Sequence, residues 1–152
     1  MKRRGATKKN PIYRAPVLYV GFFYTLLLVW TVVCVYLLGS KAIKVGWPVG
    51  QLLMIAFVVA YTWYFSLGIS YRLMIGDNGD VQLTSIRRVL NMQVQKISGV
   101  EGPRFAIMYY GFIRFRLERE KAYLFSLITD TELQKILSAM RRANREITFK
   151  GL

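Results

Sequence analysis

The chain has 152 residues, 54% of them hydrophobic, yet it carries 22 Lys+Arg against 8 Asp+Glu for a net charge of +14. With no histidine and one cysteine, Cys34, it cannot form a histidine-based triad, a zinc site of the usual Cys/His kind, a haem histidine ligand or an internal disulfide. The charges are also segregated, which argues against a uniformly basic soluble globule: residues 15 to 40 and 45 to 71 hold none, and all eight acids fall after residue 71.

Residues 1 to 14 read as a basic tail, with Lys2, Arg3, Arg4, Lys8, Lys9 and Arg14 and no acid. Residues 15 to 71 read as a transmembrane helical hairpin, with helices over about 15–40 and 48–70. Each apolar run exceeds the ~20 residues that cross a hydrocarbon core about 30 Å thick. Two buried core helices would need more protein around them than the rest of the chain supplies, because a helix apolar all round has no side to give to water. A cleaved signal peptide fits poorly, since the first run exceeds the usual h-region and lacks an A-x-A-like site. The basic tail outweighs Lys41 and Lys44 between the runs, which predicts both termini in the cytoplasm. Tyr13, Tyr19, Trp47, Tyr61, Trp63 and Tyr64 are expected at the interfaces, and Pro48 and Gly50 at the start of the second helix. Thr25, Thr31, Thr62 and Gln51 are expected to pack helices or bond back to the preceding turn. Neither run contains an ionisable acid or base, which argues against a pump or channel acting alone.

After Tyr71 the period becomes two. Tyr71 to Ile75 and Val81 to Thr84 flank Gly76-Asp77-Asn78-Gly79-Asp80, a hairpin signal. Arg88 to Val94 forms the next strand, with Leu90, Met92 and Val94 on one face. Residues 95 to 111, broken by Gly99, Gly102, Pro103 and Gly111, predict a short strand and a loop, with room for one more strand. Phe112 to Glu118 alternates Ile113, Phe115 and Leu117 with Arg114, Arg116 and Glu118. A turn at 119–121 leads to Ala122 to Ile128, with Tyr123, Phe125 and Leu127 on one side. Thr129 and Glu132 have capping-box spacing, and Leu133, Ile136, Leu137 and Met140 give the following helix an apolar stripe. The expected domain, residues 72–148 with a tail at 149–152, is a small antiparallel sheet of roughly six strands closed by an amphipathic helix.

In layout the chain resembles the bacterial membrane-anchored pleckstrin-homology-like (PH-like) proteins over about residues 15 to 145. The resemblance is carried by two N-terminal spans, Tyr71-Arg72-Leu73 at the membrane exit, a Gly-Asp turn, Ile86-Arg87-Arg88, Ile97 to Val100, Gly111 to Phe115, and the helix start Thr129 to Leu133. It implies a mainly β, seven-stranded half-barrel capped by a C-terminal helix, and a scaffold that binds lipid headgroups or protein partners without catalysis.

The residues with an evident physical consequence are the basic ones. The tail cluster Lys2, Arg3, Arg4, Lys8, Lys9 and a patch of Arg114, Arg116, Arg141, Arg142 and Arg145 are the candidate contacts for anionic lipid headgroups or a partner. Positive-inside topology accounts for many of them, and Arg114 and Arg116 equally suit the solvated face of an edge strand. Tyr109, Tyr110 and Phe112 beside basic residues could stack bases, but their setting reads as core, and no nucleic-acid partner is expected. Asp77, Asp80, Glu118 and Glu120 suit turns better than catalysis, and no phosphate-cradling or dinucleotide motif occurs. No cofactor, metal or enzyme activity is expected. The function expected is that of a non-catalytic accessory subunit or scaffold in a larger complex, or homo-oligomer, of the bacterial inner membrane; the alternative is an independent sensor of anionic lipid.

Overall fold

The computed structural model describes residues 10–46, 49–103 and 109–152. An apolar helix pair is followed by a mixed β-sheet domain. Helix α1 (Val17–Val45) begins at Pro16, whose carbonyl accepts from the Tyr19 and Val20 amides, and α2 (Val49–Ser66) returns beside it. The segments Val17–Ser40 and Val49–Ser66 are long and apolar enough to cross a membrane, and 0% and 6% of them is buried against the rest of the chain. Trp47 and Pro48 lie outside the described residues.

The hydroxyls of Thr25, Thr31 and Thr62 donate to the carbonyls four residues earlier, at Gly21, Leu27 and Val58. Thr31 also accepts from Trp63 Nε1 at 2.9 Å, so it serves the helix pair as well as its own turn. Tyr24 Oη donates to the Ser66 carbonyl at 2.8 Å. That contact sets Tyr24 level with the last turn of α2. The first seven residues of α1 therefore overhang α2 by roughly 10 Å at 1.5 Å per residue.

The sheet is ordered β4-β3-β2-β7-β6-β5-β8. Strands β2 (Ser70–Ile75), β3 (Asp80–Ser85) and β4 (Val89–Gln93) form one antiparallel meander, and β5 (Ile97–Glu101), β6 (Tyr110–Leu117) and β7 (Lys121–Leu127) form a second. The predicted hairpin is present: Gly79, at φ 77°, donates to the Gly76 carbonyl, and Gly76 donates to Asp80. The helix α3 (Thr131–Ala143) buries Leu133, Ile136, Leu137 and Met140 as the spacing predicts. Its N-cap is Asp130, which accepts from the Glu132 and Leu133 amides, so the cap sits one residue beyond the Thr129 expected from the capping-box spacing.

Three expectations are corrected. The sheet is mixed: β7 pairs parallel with β2 at Leu124 and Ser70, and β8 (Thr148–Lys150) pairs parallel with β5. A helical crossover between β7 and β8 permits the second of these, since it returns the chain in the same direction. The residues taken for a C-terminal tail are thus partly a strand, and Gly102 lies so close to Gly151 that a Cβ there would overlap its carbonyl.

The basic tail likewise contains a strand, β1 (Ile12–Arg14), antiparallel to β2. Its Tyr13 is no interfacial residue: it is 1% exposed and part of the domain core. Strand β2 touches β7 only near Ser70, and β1 occupies the gap where the two diverge. Tyr13 Oη bridges the remaining space, donating to the Phe125 carbonyl at 3.2 Å and accepting from the Leu127 amide at 2.9 Å.

Burial pushes the Tyr13 phenol up to about 12, partly offset by the hydrogen bond from the Leu127 backbone. A raised phenol pKa leaves stability untouched below the unfolded value near 10 and erodes it as pH rises through the folded value. Tyr13→Phe should therefore cost about 2 kcal/mol at pH 8, from two lost hydrogen bonds. Between pH 10 and 12 the wild type should lose about 2–3 kcal/mol more than the variant. Chemical denaturation in neutral detergent at both ends of that range checks this: the gap should close at high pH, and a constant gap would show that the phenol ionises freely.

Candidate functional site

The helix pair and the sheet meet in an aromatic seam. On β6 and β7, Ile113 and Phe115 face the core with Leu124, while Phe112 and Phe125, cross-strand partners, face the other way. That second face is covered by the overhang of α1. Tyr19 meets the Phe125 ring edge-on at 5.5 Å and lies 4.9 Å from Tyr110. Phe23 contacts Phe112 and Phe125 at 5.7 and 5.2 Å, and Tyr24 adds Phe125 and Trp63. From α2, Phe65 meets Tyr123 edge-on at 5.3 Å. Phe125 is thereby fully buried on a face that a two-layer sheet-and-helix domain would expose. Each such ring pair adds about 0.5–1.5 kcal/mol beyond area burial.

The expected basic patch is divided. Arg114 and Arg116 lie on the sheet face away from the core, and both pair with Glu101 of β5: Arg114 Nη2 with Oε2, Arg116 Nη2 with Oε1 at 2.6 Å. The hydrogen bond to Glu101 holds the Arg114 guanidinium above its usual pKa, with Tyr123 assisting. Arg141 and Arg142 lie in the last turn of α3, whose opposite side packs on the core, Arg145 follows just past its Asn144 C-cap, and with Ser138 the three line an open depression. Arg141 stands 5.9 Å over Phe149. The core lies between the two groups, so they do not form one surface. Lys2, Arg3, Arg4, Lys8 and Lys9 lie outside the described residues.

A different basic group sits where the helices enter the sheet. Arg14 ends β1, separated from α1 by Ala15 and Pro16, and it is the direct cross-strand partner of Arg72 on β2. Neither has an ion pair among the described residues, and Arg72 Nε is buried without a hydrogen-bond partner. Close by in the chain, the β3–β4 turn docks on the end of α2: the Arg87 amide donates to the Leu67 carbonyl at 3.1 Å. The Arg87 guanidinium lies 3.8 Å over Tyr64 and against Gly68, where a Cβ would come within 3.2 Å of Nη2. A cation at a helix C-terminus is favoured by the helix dipole. Arg88 is held by Glu120 at 2.9 Å. The sequence presents Arg14, Arg72 and Arg87 in three separate segments, and only the register of β1 on β2 and the docking of the turn bring them to the same end of the domain.

Among the described residues no group of three or more His, Cys, Asp or Glu is placed to hold a metal ion. Comparison with known proteins finds no matching family, no matching curated protein and no matching solved structure.

The seam should dominate the union of helices and sheet. Phe125→Ala should cost about 3–5 kcal/mol, and a Phe23→Ala/Phe125→Ala cycle should show a coupling of about 0.5–1.5 kcal/mol. Additive losses in denaturant titrations would mean the rings do not act on one another.

Proposed function

We propose that the chain is an integral membrane protein with two spans, its sheet domain PH-like and cytoplasmic, and that it is a non-catalytic scaffold or accessory subunit of a larger bacterial inner-membrane complex. One observation supports this reading above the rest. The apolar helices are bare of cover from their own chain except at one end, where an aromatic seam fixes them to the domain. So large an apolar surface needs lipid or other helices around it. Side chains such as Leu26, Trp30, Val33 and Leu37, each more than a third exposed, offer partner helices a broad surface with no ionisable group.

The PH-like reading draws support from the layout of two three-stranded meanders followed by a helix. The cytoplasmic placement of the domain follows from the charge excess of the first fourteen residues over Lys41 and Lys44. The absence of histidine and the turn, cap and ion-pair roles of Gly76–Asp80, Asp130, Glu101 and Glu120 favour docking over catalysis. A second reading, independent recognition of anionic lipid, is favoured by Arg141, Arg142 and Arg145, which have no ion pair among the described residues.

Two measurements test the proposal. In a Cys34→Ala background, thiol labelling of intact cells should modify Ala42→Cys and spare Asn78→Cys until the membrane is opened; the reverse pattern would invert the topology. Native mass spectrometry after mild detergent extraction should show co-purifying membrane chains or further copies. A lone monomer in every extraction would sink the subunit reading and leave the lipid reading.

A further inference from the structure

We propose that Arg14 and Arg72 form a phosphate clamp at the foot of the helix pair, occupied by the headgroup phosphate of an anionic lipid. The inference rests on the membrane reading above. Two observations carry it. First, the two arginines are direct cross-strand partners, Cβ atoms about 5 Å apart on one face, and like charges so placed repel. Among the described residues no acid pairs with either arginine, the ion pairs being Arg88–Glu120, Arg114 and Arg116 with Glu101, and Lys135–Glu132. Second, Arg72 Nε is a buried donor without an acceptor. A buried unmet donor on a charged group is costly, and a guanidinium presents a fork that suits two oxygens of one phosphate. An anion held by the outer guanidinium nitrogens would remove the repulsion, and Nε, which is sealed from solvent, would gain its acceptor only as the Arg72 side chain shifts toward that anion.

The position selects the source. Val17 and Leu18, which begin the apolar surface of α1, are 85% and 88% exposed, and two residues separate Arg14 from Val17. Arg72 follows Ser66 at the end of α2 by five intervening residues. The β3–β4 turn bonded to Leu67 carries Ile86, 58% exposed, beside Arg87. Ile86, beside the end of α2, suits the acyl boundary, and the arginine pair, roughly 10 Å further along the overhang of α1, suits the headgroup layer beyond it. A soluble phosphate would meet the same donors, so the test must separate the two.

The full chain is to be reconstituted in nanodiscs of phosphatidylcholine alone or with phosphatidylglycerol, and in parallel held in neutral detergent with inorganic phosphate against chloride at equal ionic strength. Melting temperature and phosphatidylglycerol dependence are read for wild type, Arg14→Gln, Arg72→Gln, Arg72→Lys, and the control Lys135→Gln, an exposed cation on α3. The wild type should melt higher with phosphatidylglycerol, and each glutamine variant should lose about fivefold in apparent lipid affinity. Arg72→Lys should fall between, keeping the charge without the fork, and Lys135→Gln should behave as wild type. Without anionic lipid, Arg14→Gln and Arg72→Gln should melt no lower than wild type, because repulsion is relieved; this separates loss of a ligand from loss of the fold. If Arg72→Gln fails to fold, Arg14→Gln, at the exposed end of β1, still decides the matter. A phosphate response in detergent without phosphatidylglycerol dependence would assign a soluble anion and overturn the lipid source. Glutamine variants indistinguishable from wild type in both arms would overturn the clamp. A chain that does not enter nanodiscs at all would overturn the membrane reading instead, and the detergent arm would still judge the arginine pair.

Discussion

A three-residue strand governs how the helices and the sheet are joined. Ile12–Arg14 fills the fork where β2 turns away from β7, and from inside that fork the Tyr13 hydroxyl satisfies one donor and one acceptor on β7. Only Ala15 and Pro16 separate this strand from α1, and the Ala15 amide is itself bonded to the Tyr71 carbonyl at 2.7 Å. The helix pair therefore enters the sheet from both of its sheet-side ends, α1 through β1 and α2 through β2. Two short covalent links into adjacent strands leave little freedom for the pair to tilt against the domain. A division of the chain at residue 72 would remove Tyr13 and Ser70 together and leave the β2–β7 gap open.

The same geometry explains the unequal helices. Helix α1 has 29 residues and α2 has 18. The Tyr24 to Ser66 hydrogen bond puts the first two turns of α1 alongside the sheet, where Tyr19 and Phe23 close over Phe112 and Phe125. An apolar helix thus has two uses along its length: its lower turns complete a soluble-type core, and the remainder matches α2. A small sheet domain has few layers with which to bury both of its faces; here α3 covers one and the helix pair part of the other. Whatever moves the helices, whether bilayer or partner, is coupled through these rings to β6 and β7.

Much of this was legible in the sequence and some was not, for identifiable reasons. The two apolar runs, the Asn78-Gly79 hairpin, the alternation of Ile113 and Phe115 with Arg114 and Arg116, and the stripe of α3 all follow from periodicity over six or more residues, where local pattern is strong. The strands β1 and β8 are three residues each, too short to show a period, and they exist only because long-range partners wait for them. Tyr13 was misplaced for a related reason: beside an apolar run, an interfacial tyrosine and a core tyrosine look alike. Thr129 and Asp130 are both good caps, and one position of shift is below the resolution of spacing rules. The basic patch failed as a unit because Arg114 and Arg141 are separated by the core that their own neighbours build.

The electrostatic arrangement follows from the same assembly. Three of the eight acids are committed to ion pairs among the described residues, Glu101 to Arg114 and Arg116, Glu120 to Arg88, Glu132 to Lys135. Among the basic residues without an ion pair, Arg14, Arg72 and Arg87 gather at the entry of the helices and Arg141, Arg142 and Arg145 at the end of α3 and just beyond it. The central claim, that β1 locks the helix pair to the sheet, is tested most directly by native-state hydrogen exchange of the full chain in nanodiscs, read at the Ala15 and Leu127 amides. The account predicts that both exchange as slowly as the amides of Ile113 and Leu124 in the middle of the sheet, opening only with the whole domain. Exchange at Ala15 and Leu127 as fast as in the Gly76–Gly79 turn would contradict it, and would leave the helices and the sheet as independent units joined by a hinge.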